Sequence, residues 1–172
     1  MKAPVKIGLI GSQCISAIHA EALKHCAQAH LAAVASSTPG NADSFATRFD
    51  IAHAFIVYRQ LLARPEIQMV VGGVPNHLHG QAVLAAAATG KHAVIEKPLC
   101  LNLAQADRMI AARRQHNVKL MYAEELCFAP KYVRLKQLLD SSAPGRPTLL
   151  KQLGKHDGPH AAQFCNVERS GG

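Results

Sequence analysis

A chain of 172 residues, 49% hydrophobic and 17% charged, has enough apolar side chains for a buried core and too few charges for general disorder; its length suits one domain plus the beginning of a second. Five scattered cysteines, an odd number with no Cys-x-x-Cys pair, argue against a disulfide framework and for a reduced, cytoplasmic setting. The net charge of +8 attracts a phosphate-bearing cofactor as readily as nucleic acid, and three tyrosines without a tryptophan disfavour an RNA-stacking surface.

The start, Met1-Lys2-Ala3-Pro4, runs directly into a strand and leaves no room for a signal peptide, while apolar stretches such as 82–88 are too short to span a bilayer. Residues 5–10 are an apolar run broken only by Lys6, the pattern of a parallel strand buried on both faces. Over 15–26, Ile15, Ile18, Ala22, Leu23 and Cys26 share one helical face. A strand at 31–35 is followed by the turn Ser36-Ser37-Thr38-Pro39-Gly40 and a helix over 42–49. A short extended segment at 54–57 and a helical turn near Leu61 precede the buried strand 69–71.

Asn76 is placed to cap a helix running to Thr89, with Gly90 as its left-handed stop. Residues 92–95 form a strand. Asn102 and Gln105 make a capping pair for a helix to about His116, closed by Asn117. Then come a strand at 118–122 and a helix at 128–139, with Val133, Leu135, Leu138 and Leu139 as its apolar contacts. After the turn Pro144-Gly145-Arg146-Pro147, residues 148–153 read as a strand of a different unit. Alternating strands and helices mean a doubly wound α/β fold with a parallel sheet, whose ligands bind beyond the carboxyl ends of the strands.

The first strand-to-helix turn, Gly11-Ser12-Gln13-Cys14-Ile15-Ser16, holds the chemistry-bearing spacing of a dinucleotide fingerprint. Gly11 serves the tight turn and Ser16 stands where a third glycine allows close packing. Gln13 occupies the middle position, where backbone must approach a pyrophosphate, and is expected to crowd it; glycine there should bind cofactor about tenfold better. Ser36 and Ser37 stand where an acid would hold the ribose of NAD. Without a carboxylate to repel a 2′-phosphate, NADP is slightly favoured over NAD. No metal site is expected: among ten histidines only His77/His79 and His156/His160 lie close together, without nearby thiolates.

Three further segments carry a family resemblance: Pro75-Asn76-His77-Leu78-His79, the run from Gly90 to Leu99 that contains Glu96-Lys97-Pro98, and Phe128-Ala129-Pro130. Together with His19 in the first helix they resemble the Gfo/Idh/MocA family of NAD(P)-dependent sugar and polyol oxidoreductases. The resemblance implies a Rossmann domain over 1–123, and a linking helix with the start of an α+β substrate domain over 124–172. It implies that Lys97 is the catalytic residue, an ammonium that polarises a carbonyl or stabilises an alkoxide, that Glu96 orients it, and that Pro98 fixes the turn through a cis bond. It also places Gly11, Gln13, Cys14, Ile15, Ser36, Ser37, Pro75, Asn76, His79, Glu96 and Lys97 around the cofactor, with His77 on the nicotinamide side.

Relatives continue for roughly another domain's length, so the chain is expected to stop short of the acid/base partners. His156, Asp157 and His160 stand at the approach to that region. The resulting expectation is a nicotinamide-dependent oxidoreductase acting at a secondary alcohol of a sugar or polyol, free of membranes, with homo-oligomerisation of the full-length parent left open. A catalytically silent nucleotide-binding fragment is the alternative, and a basic nucleic-acid-binding domain ranks last.

Overall fold

The structure is a computed structural model that describes residues 3–154 and 165–170. In chain order, β1 (Val5–Ile10), α1 (Cys14–Lys24), β2 (Ala29–Ala35), α2 (Asn41–Phe49), β3 (His53–Phe55), α3 (Tyr58–Leu62), β4 (Met69–Gly72), a 3-10 turn (Asn76–Leu78), α4 (His79–Ala88), β5 (His92–Glu96), α5 (Leu103–Gln115) and β6 (Leu120–Ala123) build the α/β unit. A second 3-10 turn (Glu125–Phe128), α6 (Pro130–Asp140) and α7 (Val167–Ser170) follow. The strands lie in the order β3-β2-β1-β4-β5-β6, and every neighbouring pair is parallel. Strand order reverses between β1 and β4, the switch point at which such sheets open a crevice.

The strands read as apolar because both of their faces are covered. Ile7, Leu9, Val34 and Val71 pack with Ala20 of α1 and Phe45 and Phe49 of α2. Their sequence neighbours point the other way: Ile10, Ala33, Ala35, Val70, Ala93 and Ile95 pack with Leu61, Val83, Ala86 and Met109 of α3, α4 and α5. The period of two along each strand thus feeds two cores of one sheet. Lys91 at the start of β5 is also buried, its Nζ donating to the carbonyls of Arg64 and Ile67 at 2.8 Å each. Burial lowers its pKa, while the Glu66 charge opposes the fall.

The capping signals of α5 are as expected: Asn102 Oδ1 accepts the Gln105 N–H at 2.9 Å and Gln105 Oε1 accepts the Leu101 N–H at 3.0 Å. Gly90 and Asn117 take left-handed backbone at φ 70° and 50°. Three expectations are corrected. Asn76 caps nothing; it begins the 3-10 turn, α4 starts at His79, and neither end has a side-chain cap. The Pro75 ring presets the turn, so the tighter 3-10 geometry precedes the α-helix. Residues 148–153 form no strand and are exposed, because no neighbouring strand in the described chain takes up their backbone bonds. Helix α6 fully buries none of its residues: Leu135, Leu138 and Leu139 are half-buried and Val133 is exposed, so the apolar contacts expected of the four are only partly made. His156, Asp157 and His160 lie outside the described residues.

Met109 is the anchor by which α5 meets the sheet, with a side chain 0% exposed. Met109→Ala should cost about 2–5 kcal/mol of unfolding free energy through lost burial and a residual cavity. Leu103→Ala on the same helix, where the side chain is 84% exposed, should stay within about 0.5 kcal/mol. Urea unfolding of the two variants against the parent checks both.

Candidate functional site

At the switch point the ends of β1 and β4 come together. Gly11 has φ 110°, a conformation open to glycine and strained for other residues. A Cβ on Gly11 would strike the carbonyl of Gly73, and one on Gly73 would lie 2.6 Å from Ser16 Oγ. The Gly11 N–H donates to Ala35 and the Gly73 N–H to Ile10, each at 2.8 Å, which joins the turn to three strands. Ser16 is completely buried beneath this turn, and its hydroxyl has no hydrogen-bond partner. Ser16 therefore fills the third, close-packing position of the fingerprint, as expected; Gly73, which the sequence reading passed over, supplies the opposite wall.

Gln13 departs from expectation. It is the N-cap residue of α1 with φ −92° and ψ −168°, extended backbone that any residue adopts, and its side chain is exposed. The positive φ of the tight turn lies two residues earlier, at Gly11, so no backbone strain is relieved by glycine at 13. No side chain caps α1 and its first turn holds no acid. The amide N–H groups of Cys14, Ile15 and Ser16 therefore head an uncapped helix of 11 residues whose positive end suits an anion. Beside it Ser12 Oγ donates to Ser36 Oγ at 2.8 Å, linking the turn to the end of β2, and Ser37 is exposed just beyond.

The far rim is built by the segments after β4 and β5. Pro75 is half-buried and Asn76 buried, with Asn76 Nδ2 donating to the Ser170 carbonyl of α7 at 2.9 Å. His77 is half-buried, and its Nδ1 is buried without a partner. Lys97 is exposed at the end of β5, and its bond to Pro98 is cis. Glu96, 8% exposed, does not grip the Lys97 ammonium. Its Oε2 accepts the Lys97 backbone N–H at 3.1 Å and its Oε1 meets His19 Nε2 at 2.8 Å. Burial alone would raise the Glu96 carboxyl. The His19 hydrogen bond, the Lys97 N–H and the charges of His19 and Lys97 outweigh it and hold the pKa below the ordinary carboxylate value.

His79 is corrected as well. Its ring is 0% exposed, with Nδ1 2.7 Å from the Pro98 carbonyl and Nε2 2.9 Å from the Val74 carbonyl. Both nitrogens are engaged inside the protein, so it presents none to a ligand. Among the described residues no group of three His, Cys, Asp or Glu is placed to hold a metal ion, and no helix is long and apolar enough to cross a membrane. All five cysteines are unpaired.

Two glycines in contact at the switch point, the uncapped start of α1 beside them and a lysine-bearing turn at the end of β5 are the features of a dinucleotide-binding α/β domain. The chain belongs to the Gfo/Idh/MocA oxidoreductase family with an NAD-binding Rossmann fold, whose model matches residues 5–124. It is 29% identical over 168 residues to a myo-inositol 2-dehydrogenase of Thermotoga maritima, covering 98% of this chain and 50% of that protein. It is 30% identical to an NADP(+)-dependent scyllo-inositol 2-dehydrogenase of Bacillus subtilis, over 78% of this chain and 41% of the relative. The scyllo-inositol dehydrogenase of Lactobacillus casei, solved with bound NAD(H) and scyllo-inositol, superposes with TM-score 0.77 at 26% identity, over 83% of this chain and 42% of its own. The chain thus spans about half the length of the curated relatives it matches.

The Glu96 contacts set a pH dependence. A carboxylate with a depressed folded pKa contributes stability that is complete above its unfolded pKa, about 4.3, and is lost as pH falls through the lower folded value. Glu96→Gln should therefore flatten the acid limb of stability below about pH 4, with the parent losing its advantage over the variant as pH drops. Urea midpoints measured across the acid range for both proteins check this.

Proposed function

We propose that this chain is the cofactor-binding half of an NAD(P)-dependent oxidoreductase acting at a secondary alcohol or carbonyl of a sugar or polyol. The observation that carries the reading is the close backbone contact of Gly11 and Gly73 at the switch point, with no room for a Cβ on either, beside the uncapped start of α1. The residues fit a dinucleotide: the Cys14, Ile15 and Ser16 amides for its pyrophosphate, and the Ser12–Ser36 hydroxyl pair for the adenosine ribose. When bound, the nicotinamide supplies the hydride acceptor or donor.

On that side Pro75 and Asn76 form one wall and Lys97 the other. An exposed ammonium at a strand end polarises a substrate carbonyl or stabilises the alkoxide, while Glu96 holds the backbone that carries it. Residues 1–123 are read as the cofactor domain and 124–172 as the passage to a substrate domain. The relatives named for inositols support the polyol class.

Cofactor choice follows from charge at the end of β2. Ser36 and Ser37 offer hydroxyls and no carboxylate, so a 2′-phosphate meets no repulsion there. Titration calorimetry of the purified chain should show NADP binding at least as tightly as NAD. Ser36→Asp should reverse the order by about tenfold, and Gly11→Val should abolish binding of both. A clear NAD preference in the parent, or full binding by Gly11→Val, would count against the reading. Gln13→Gly, whose backbone gains nothing, should change either affinity by less than about threefold.

A further inference from the structure

The amino ends of the strands, opposite the Gly11 turn, form a second surface with its own charge. In a parallel sheet with helical crossovers this side also receives the carboxyl ends of the helices. Hydrogen bonds fix the order of the strand starts. The Gln68 N–H donates to the Lys6 carbonyl, the His92 N–H to the Gln68 carbonyl, and the Lys119 N–H to His92 Nδ1 at 3.1 Å. The turn that closes α5 joins the same row: the Val118 N–H donates to the Arg113 carbonyl and the Asn117 N–H to that of Arg114. Lys6, Arg113, Arg114 and Lys119 are all exposed, and among the described residues none of the four forms an ion pair.

Helix dipoles explain only part of this charge. Arg113 and Arg114 stand in the last turn of α5, where a cation offsets the negative helix end. Lys6 and Lys119 stand at strand starts and offset no dipole. The carboxylates on this side are few: Glu66 pairs with Arg64, Glu21 faces His25 at 3.6 Å, and Asp50 ends α2. Uncompensated cations gathered on one side of a chain of net charge +8 are the footprint of a polyanion site. A second copy of the chain, equally basic, is repelled there.

We propose that this face binds duplex nucleic acid through its phosphates, without reading its sequence. Strands lie about 4.8 Å apart, so the three intervals from β1 to β6 set Lys6 and Lys119 about 14 Å from each other. That span is on the scale of the roughly 12 Å major groove, which separates two rows of phosphates. Arg113 and Arg114 add forked donors suited to phosphate. Among the described residues no exposed Phe or Tyr stands at the strand starts, so unpaired bases find no stacking platform. A duplex keeps its bases stacked within itself and offers its phosphates outward. The helices present carboxyl ends here, so none enters a groove by its amino end and base edges go unread. The Gly11 turn lies about 16 Å away along β1, so this site and the cofactor site are separate.

The test is fluorescence anisotropy of the full chain with a labelled, mixed-sequence DNA duplex of about 20 base pairs, across a range of salt concentrations. Four neutralised phosphates predict a slope of about −3.6 for the logarithm of affinity against that of salt. Arg113→Gln/Arg114→Gln/Lys119→Gln should weaken binding at least about tenfold at low salt and bring the slope to about −0.9. Lys131→Gln/Arg134→Gln/Lys136→Gln removes the same charge from exposed positions of α6 and should keep the parental affinity within about threefold. Thermal melts show that both variants are folded. Should the arginine set unfold, Lys6→Gln/Lys119→Gln takes its place and should lose about half of the slope.

Saturating NADP should leave duplex affinity unchanged; displacement by NADP would put the duplex at the cofactor site and overturn the proposal. So would a parental slope shallower than about −2, or an equal loss in the α6 variant, which would reduce the effect to net charge. Tighter binding of the matching single strand would overturn the choice of a duplex. Vesicles containing anionic phospholipid are tested in parallel, and binding to them without binding to the duplex would assign the face to a membrane surface instead.

Discussion

Two strand ends approach each other so closely at the centre of this sheet that neither has room for a Cβ. The Gly11 turn must fold back over the Gly73 carbonyl to send α1 across β1, and Ser16 sits beneath both glycines with its hydroxyl enclosed. A side chain at either glycine would push β1 and β4 apart. That would break the Gly73–Ile10 bond that registers them and tilt α1 away from the crevice. The direction of α1, the exposure of its first amides and the position of the Ser12–Ser36 bridge all follow from this contact. Tight packing leaves such an approach few ways to relax.

A second set of constraints comes from polar groups that the fold removes from water. Lys91, Glu96 and His79 are all buried, and each is held by specific partners. None of these partnerships is a simple pair of opposite charges at a surface. Lys91 closes the carbonyls that precede β4; Glu96 joins α1 to the end of β5; His79 joins the ends of β4 and β5. Buried polar groups without partners are costly, so these three fix where each loop leaves the sheet. The apolar cores determine that a sheet forms, and the polar ties determine where its rim stands.

The fold was legible in the sequence because strands buried on both faces must be apolar throughout, and helices between them must alternate with a period near 3.6. The caps at Asn102 and Gly90 were legible because they depend on residues three or fewer positions away. What failed depended on contacts distant in the chain. Asn76 has the side chain of a cap but spends its amide on Ser170, 94 positions away. Gln13 was judged by its place in a motif, whereas the strain sits in φ of Gly11. His79 was placed at the cofactor because it belongs to the Pro75–His79 segment that carries the family resemblance, and its burial between two carbonyls has no local signal. The 148–153 segment has strand-like composition, but a strand needs a neighbour, and composition does not supply one.

The two sides of the switch point are also joined through side chains. Ser12, Ser36 and the first amides of α1 lie on the β1–β2 side, while Asn76, His79 and Lys97 lie on the β4–β5 side. Changes on the two sides would ordinarily add independently. Helix α1 crosses that boundary: its first turn heads the Gly11 cradle, and His19, on its second turn, grips Glu96 at 2.8 Å, whose other oxygen holds the Lys97 backbone. The amino-terminal half of α1 is therefore joined through one hydrogen bond and one carboxylate to the turn that carries the lysine. His79 extends the same chain of ties from that turn to the Asn76 loop. Three side chains, His19, Glu96 and His79, thus make a continuous polar path around the switch point, and each of them is buried or half-buried.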